Sequence, residues 1–190
     1  MSNDRKFRNP VSAPPGADAG LWTALVREAE VRGFRVAIKP TGGSLDAFTD
    51  YQANEVVLAA HLRGVAAMTR LAHEVGHVHL HAAGSLRGPF SVFEDSHGLR
   101  EVEAEIFAYV VLVHHGISND ESLGFIAQWA WYLRPDAPEK YADEASARVT
   151  DAAKQVVAST RAYMRQHSTA VSSDPTREAA PPFDQPGPGW

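Results

Sequence analysis

A chain of 190 residues with 44% hydrophobic content suits one domain with room for tails. The formal charge of −5 leaves no broad basic surface, so composition gives no support for nucleic-acid binding. There is no cysteine, which excludes a disulfide scaffold and a thiolate metal site and leaves histidine and carboxylate as the only metal ligands.

No apolar run approaches the roughly 20 residues that span a bilayer. The first ten residues carry basic groups with no apolar segment after them, unlike a secretory signal. These features predict a cytoplasmic protein without membrane contact.

Residues 1–19 contain Pro10, Pro14, Pro15 and Gly16 and no periodicity, and they read as a flexible arm. A domain then spans 20–167. Asp18 is placed to cap a helix in which Leu21, Trp22, Leu25, Val26 and Ala29 keep helical spacing, and Gly33 stops it. Phe34–Lys39 alternates like a half-buried strand. Leu45–Tyr51 is a weaker strand candidate, and Glu55–Ala60 is a stronger, β-branched one. Short links make an antiparallel sheet the simplest arrangement.

From His61 to His81 the spacing becomes helical. Gly76 lies inside this helix, where glycine costs about 1 kcal/mol relative to alanine. Close approach of a neighbour is the expected reason. Residues 82–98 read as a loop. Helices follow at Leu99–His115, Glu121–Leu133 and Glu139–His167, separated by Gly116 and by Pro135 and Pro138. Phe125, Trp129, Trp131 and Tyr132 are expected in the core. Residues 168–190 are rich in Ser, Thr, Pro and Gly and read as a disordered tail. The expected class is therefore α+β, with a small, mostly antiparallel sheet packed on the His61–His81 helix and a largely helical C-terminal half.

Within that helix stands His73-Glu74-Val75-Gly76-His77, of the form H-E-x-x-H. Residues four apart share a helix face, so both imidazoles can reach one ion. Glu74 can then stand beside a water on that ion without being a ligand. Random placement produces the bare motif in roughly a few per cent of chains of this composition, so its setting has to carry the argument. A hydrolytic zinc site needs three protein ligands and one open position. The next helix offers Glu101-Val102-Glu103-Ala104-Glu105. Glu101 is assigned as the third ligand, with Glu103 as the alternative. Glu105, one turn from Glu101, is placed to accept a hydrogen bond from a ligand histidine and fix its tautomer. His79 and His81 read as solvent-facing histidines favoured at a helix C-terminus, with His81 near the site mouth as the other reading. Asp95 and His97 either line the cleft or belong to a polar loop. The implied chemistry is hydrolysis by a zinc-activated water with Glu74 as general base.

Thr69–His81, together with Arg100-Glu101-Val102-Glu103-Ala104-Glu105-Ile106-Phe107-Ala108, resembles the ImmA/IrrE-type metallopeptidases. It also resembles the C-terminal metallopeptidase domain of ArdC-type antirestriction proteins, as do Phe125–Trp129 and Arg148–Ala153. The resemblance implies a zincin-like fold, Zn2+ at His73, His77 and Glu101, Glu74 as catalytic acid/base, and a peptide or protein substrate such as a regulator. A strand edge, with Glu55–Ala60 the first candidate, would hold that peptide by strand addition. The competing expectation is a non-catalytic antirestriction or regulatory protein with a structural metal, closed by a fourth protein ligand such as Asp95 or His97.

Overall fold

The computed structural model describes residues 11–43, 45–82, 96–118 and 120–171. Of the expected tail 168–190, residues 168–171 are helical instead and the remainder lies outside the described residues, as do residues 1–10 and Asp95. For His97 only the backbone is described. The class is α+β. In chain order the described elements are α1 (Ala19–Val31), β1 (Arg35–Lys39), β2 (Ala47–Asp50), β3 (Glu55–Ala59), α2 (Gly64–His81), α3 (Ser96–His114), α4 (Asp120–Leu133) and α5 (Pro138–Val171). Among the described residues no helix is long and apolar enough to cross a membrane.

Asp18 caps α1 by accepting a hydrogen bond from the Leu21 amide at 2.8 Å. The apolar stripe of α1 is buried, with Trp22 fully enclosed and its Nε1 donating to the Val11 carbonyl at 2.8 Å. Val11, Ala13 and Ala17, which the sequence assigns to the flexible arm, pack against the same core.

The sheet corrects the expected topology. Its strand order is β1-β3-β2, with β1 parallel to β3 and β2 antiparallel to β3. It is mixed, not mostly antiparallel. A parallel pair needs a crossover of about a dozen residues or more, and residues 40–54, β2 included, supply it. β3 is buried at every position and so sits in the middle. Its unbroken Val56-Val57-Leu58-Ala59 run suits a strand covered on both faces. Glu55–Ala60 therefore offers no free edge; β1 and β2 are the edge strands.

α2 begins at Gly64, later than the expected His61. Arg63 is extended and Gly64 has φ +50°, so the helix cannot extend back through them. α2 packs on β2 and β3 on one side and on α3 on the other. α3 starts at Ser96, so Gly98 is helical and not part of a loop. A Cβ at Gly98 would lie 2.8 Å from Leu133 Cδ1 of α4, which makes it a point of close helix contact. Gly76 has the same role between α2 and α3. A Cβ there would stand 3.1 Å from Phe107 Cδ1 and 3.2 Å from both Cα and O of Ala104. That near contact brings the Glu-rich turn of α3 against the H-E-x-x-H turn of α2.

The main core joins α1, the sheet, α2, α3 and α5, and a smaller cluster of Val102, Ile106, Ala145 and Val149 joins α3 to α5. The aromatic cluster departs from expectation. Phe125, Trp131 and Tyr132 are exposed, and Phe125 and Trp129 face the cleft described below.

Candidate metal centre

The middle of α2, Leu71 to Val78, is buried throughout. His73 and His77 point to the same side, with ring centroids 4.8 Å apart. His73 Nε2 and His77 Nε2 are 3.1 Å apart. Glu101 of α3 closes the triangle, with Oε2 at 3.3 Å from His73 Nε2 and Oε1 at 3.4 Å from His77 Nε2. A tetrahedral zinc with bonds of about 2.0–2.1 Å sets its ligand atoms roughly 3.3 Å apart. The two imidazole nitrogens stand near that spacing and Glu101 brings one oxygen close to each, so the residues fit the ion. Among the described residues, His73, His77 and Glu101 form the one group of this kind, and no fourth His or carboxylate joins it.

Charge around the group is also arranged for a cation. Burial would lower the His73 pKa, but hydrogen bonds to Glu101 and Glu105 outweigh it and push it up to about 9. Burial would raise Glu101, yet His73 and His77 hold it far below the usual carboxylate range. A ligand imidazole must offer a lone pair, so a bound divalent ion takes the place of the proton that these carboxylates otherwise attract.

Glu105 lies behind His73, its Oε2 2.8 Å from His73 Nδ1. Its other oxygen accepts a hydrogen bond from the Ser122 hydroxyl of α4. Burial alone would raise Glu105; these two contacts lower it. Glu103, the alternative ligand, faces away from the group. It accepts from Arg148 Nε at 2.6 Å and lies 3.0 Å from His81 Nε2.

Glu74 opens on the cleft beside the group. Thr49 of β2 donates its hydroxyl to Glu74 Oε2 at 2.7 Å. A cleft of about 280 Å³ runs past His73, Glu74 and Glu101 between Ala47 and the aromatic pair Phe125 and Trp129. It continues along Phe48, Thr49, Tyr51 and Arg100. Tyr51 is pushed up to about 12 by burial and the neighbouring Glu74 charge.

Residues 29–121 match the family model Peptidase_M78, the IrrE N-terminal-like domain. The matched span holds β1 to α3 with His73, Glu74, His77, Glu101 and Glu105. It supports the ImmA/IrrE resemblance and points to a peptidase-type domain. No curated protein and no solved structure matches the chain.

Sequence reasoning missed Thr49 and Ser122, which reach the site across 25 residues to Glu74 and 17 residues to Glu105. No local pattern marks either. It also misplaced two histidines. His81 is buried, and His79 is enclosed against Phe107, with Nε2 3.4 Å from Glu28 Oε2. At that separation the His79–Glu28 pair is a close polar contact and not a formed hydrogen bond.

Proposed function

We propose that the chain is a zinc-dependent metallopeptidase of zincin-like fold, acting on a peptide or protein such as a regulator. The observation that carries this reading is the donor triangle of His73, His77 and Glu101 with an acid, Glu74, beside it. The match to a peptidase-type family supports it.

Zinc held by these three residues would polarise a carbonyl and lower the pKa of a water. Glu74 takes the water proton on Oε1, since Oε2 is engaged by Thr49. It then returns that proton to the leaving amine. The Thr49 hydroxyl fixes the plane of the carboxylate, so the basic oxygen is aimed and not free to rotate. Glu105 holds His73 by Nδ1 and leaves Nε2 for the metal. The edge strand β2 offers backbone groups to an extended peptide, and its residues Ala47, Phe48 and Thr49 line the cleft. Phe125 and Trp129 form the opposite, apolar wall.

The test is zinc content together with hydrolysis of a fluorogenic peptide library. The reading expects one zinc per chain and cleavage that Glu74→Gln abolishes while zinc remains bound. Cleavage unchanged in Glu74→Gln, or an intact library with a fully zinc-loaded protein, would sink it.

A further inference from the structure

The face of α2 that carries His73 and His77 continues one turn beyond them to His81, which is 6% exposed. Its Nδ1 lies 3.1 Å from His77 Nδ1. Its Nε2 lies 3.0 Å from Glu103 Oε2 of α3, and Arg148 of α5 donates to Glu103 Oε1 at 2.6 Å. Three side chains, one from each of three helices, thus stand in line behind one metal-site histidine.

The chemistry of the groups gives this line a single direction. Two ring nitrogens in hydrogen-bond contact cannot both carry a proton or both present a lone pair. If His77 offers its Nε2 lone pair to a cation, its proton is on Nδ1. That N–H must then donate to His81 Nδ1, which accepts. His81 in turn carries its proton on Nε2 and donates it to Glu103, an acceptor. Arg148, a donor only, fixes the far end. No other assignment satisfies every contact once a metal holds His77 Nε2.

We infer that His81, Glu103 and Arg148 are positioning residues that fix the tautomer and ring orientation of His77 for a divalent cation. The inference rests on the metal-site reading above. It makes the two histidine ligands unequal. His73 is backed directly by the Glu105 carboxylate, whereas His77 is backed by a neutral imidazole with the carboxylate one group further away. It also accounts for Glu103, an acid with a side chain only 12% exposed on a helix that has solvent available elsewhere.

The experiment combines zinc affinity, by competition with a chromophoric chelator, with nitrogen-15 histidine spectra of the zinc-loaded protein. Outer partners of ligand histidines typically contribute 10–100-fold to metal affinity. His81→Leu cannot accept from His77 and is expected to lose about that much. His81→Asn places an acceptor oxygen near the old Nδ1 and is expected to restore most of it. Thermal unfolding of the metal-free variants separates this from packing, because a purely structural His81 would lower stability without moving zinc affinity. In the wild-type spectra the inference expects His77 bound through Nε2 and His81 neutral with its proton on Nε2. A His81 proton on Nδ1, or His81→Leu within about threefold of wild-type affinity, would overturn it. The spectra need no variant, so a misfolded His81→Leu does not shield the idea. If the wild-type protein shows no zinc shift at His77, the metal-site reading itself fails, and the relay with it.

Discussion

Replacing Gly76 by valine tests the contact that brings the two halves of the centre together. An added Cβ would sit 3.1–3.2 Å from Phe107 Cδ1 and from Cα and O of Ala104. Ordinary carbon contacts begin at about 3.5 Å, so α3 must move back by a few tenths of an ångström even for alanine. Two of the three obstructing atoms are backbone, so no rotamer change relieves them. Alanine gains about 1 kcal/mol of helix propensity over glycine and loses about 1–3 kcal/mol to overpacking. The expected result for Gly76→Ala is a loss of roughly 0–2 kcal/mol. Valine adds two methyls to the same gap and is expected to cost at least about 2 kcal/mol more. In a chain of this size that lowers Tm by roughly 4–8 °C. A second effect follows because α3 carries Glu101, whose oxygens are 3.3–3.4 Å from the two histidines. A retreat of about 0.5 Å takes Glu101 beyond bonding distance of an ion held by both imidazoles. Thermal unfolding and zinc competition read the two effects separately. Phe107→Leu in the Gly76→Val background should restore little, since the Ala104 backbone remains in place. Wild-type stability and zinc affinity in Gly76→Val would refute the packing argument.

Other predictions concern single hydrogen bonds. Thr49→Val removes the donor to Glu74 Oε2 at nearly constant volume. A hydrogen bond to a charged group is worth about 1.5–3 kcal/mol, so peptide hydrolysis should fall roughly 10–100-fold with zinc content unchanged. Equal loss of zinc would show that Thr49 acts on the fold instead. Ser122→Ala leaves Glu105 Oε1 without its buried donor, and urea unfolding should show a loss of about 1.5–3 kcal/mol. Glu28 is buried at 7% exposure between α1, α2 and α5. Burial would raise its carboxyl, but His79 and Ser159 lower it below 4.5 on balance. A depressed folded pKa contributes stability above the unfolded value, and this is lost as pH falls through the folded one. Wild type should therefore lose more stability than Glu28→Gln between pH 5 and strongly acid solution, measured by denaturant unfolding at each pH. Parallel curves for the two proteins would dismiss the His79–Glu28 contact as a source of stability.

The element order was legible because it depends on local chemistry. Asp18 before an apolar stripe, glycine after it, and the change from alternating to helical spacing at α2 are all short-range signals. His73, Glu74 and His77 were legible for the same reason: four residues along a helix is one turn, whatever surrounds it. Glu101 and Glu105 could be named because the same turn rule puts them on one face of α3. The histidines that follow show where this stops. His79 and His81 sit near a helix end, where solvent is the ordinary expectation, yet α1, α3 and α5 close over them. Their partners Glu28 and Glu103 are 51 and 22 residues away.

The sequence alone determined the ligand chemistry and one face of one helix. With no cysteine available, a metal had to be met by imidazole and carboxylate, and helix geometry joined two imidazoles without help. Only the tertiary structure decided the rest. It placed β3 in the middle of the sheet and left β1 and β2 at its edges, with β2 beside the cleft, because pairing depends on which strand is buried on both faces and not on chain order. It turned Glu101 towards the histidines and Glu103 towards His81, because the absent side chain at Gly76 lets α3 approach in one register. It brought Thr49 to Glu74 and left H-E-x-x-H with a carboxylate that lines the cleft and is held at one oxygen.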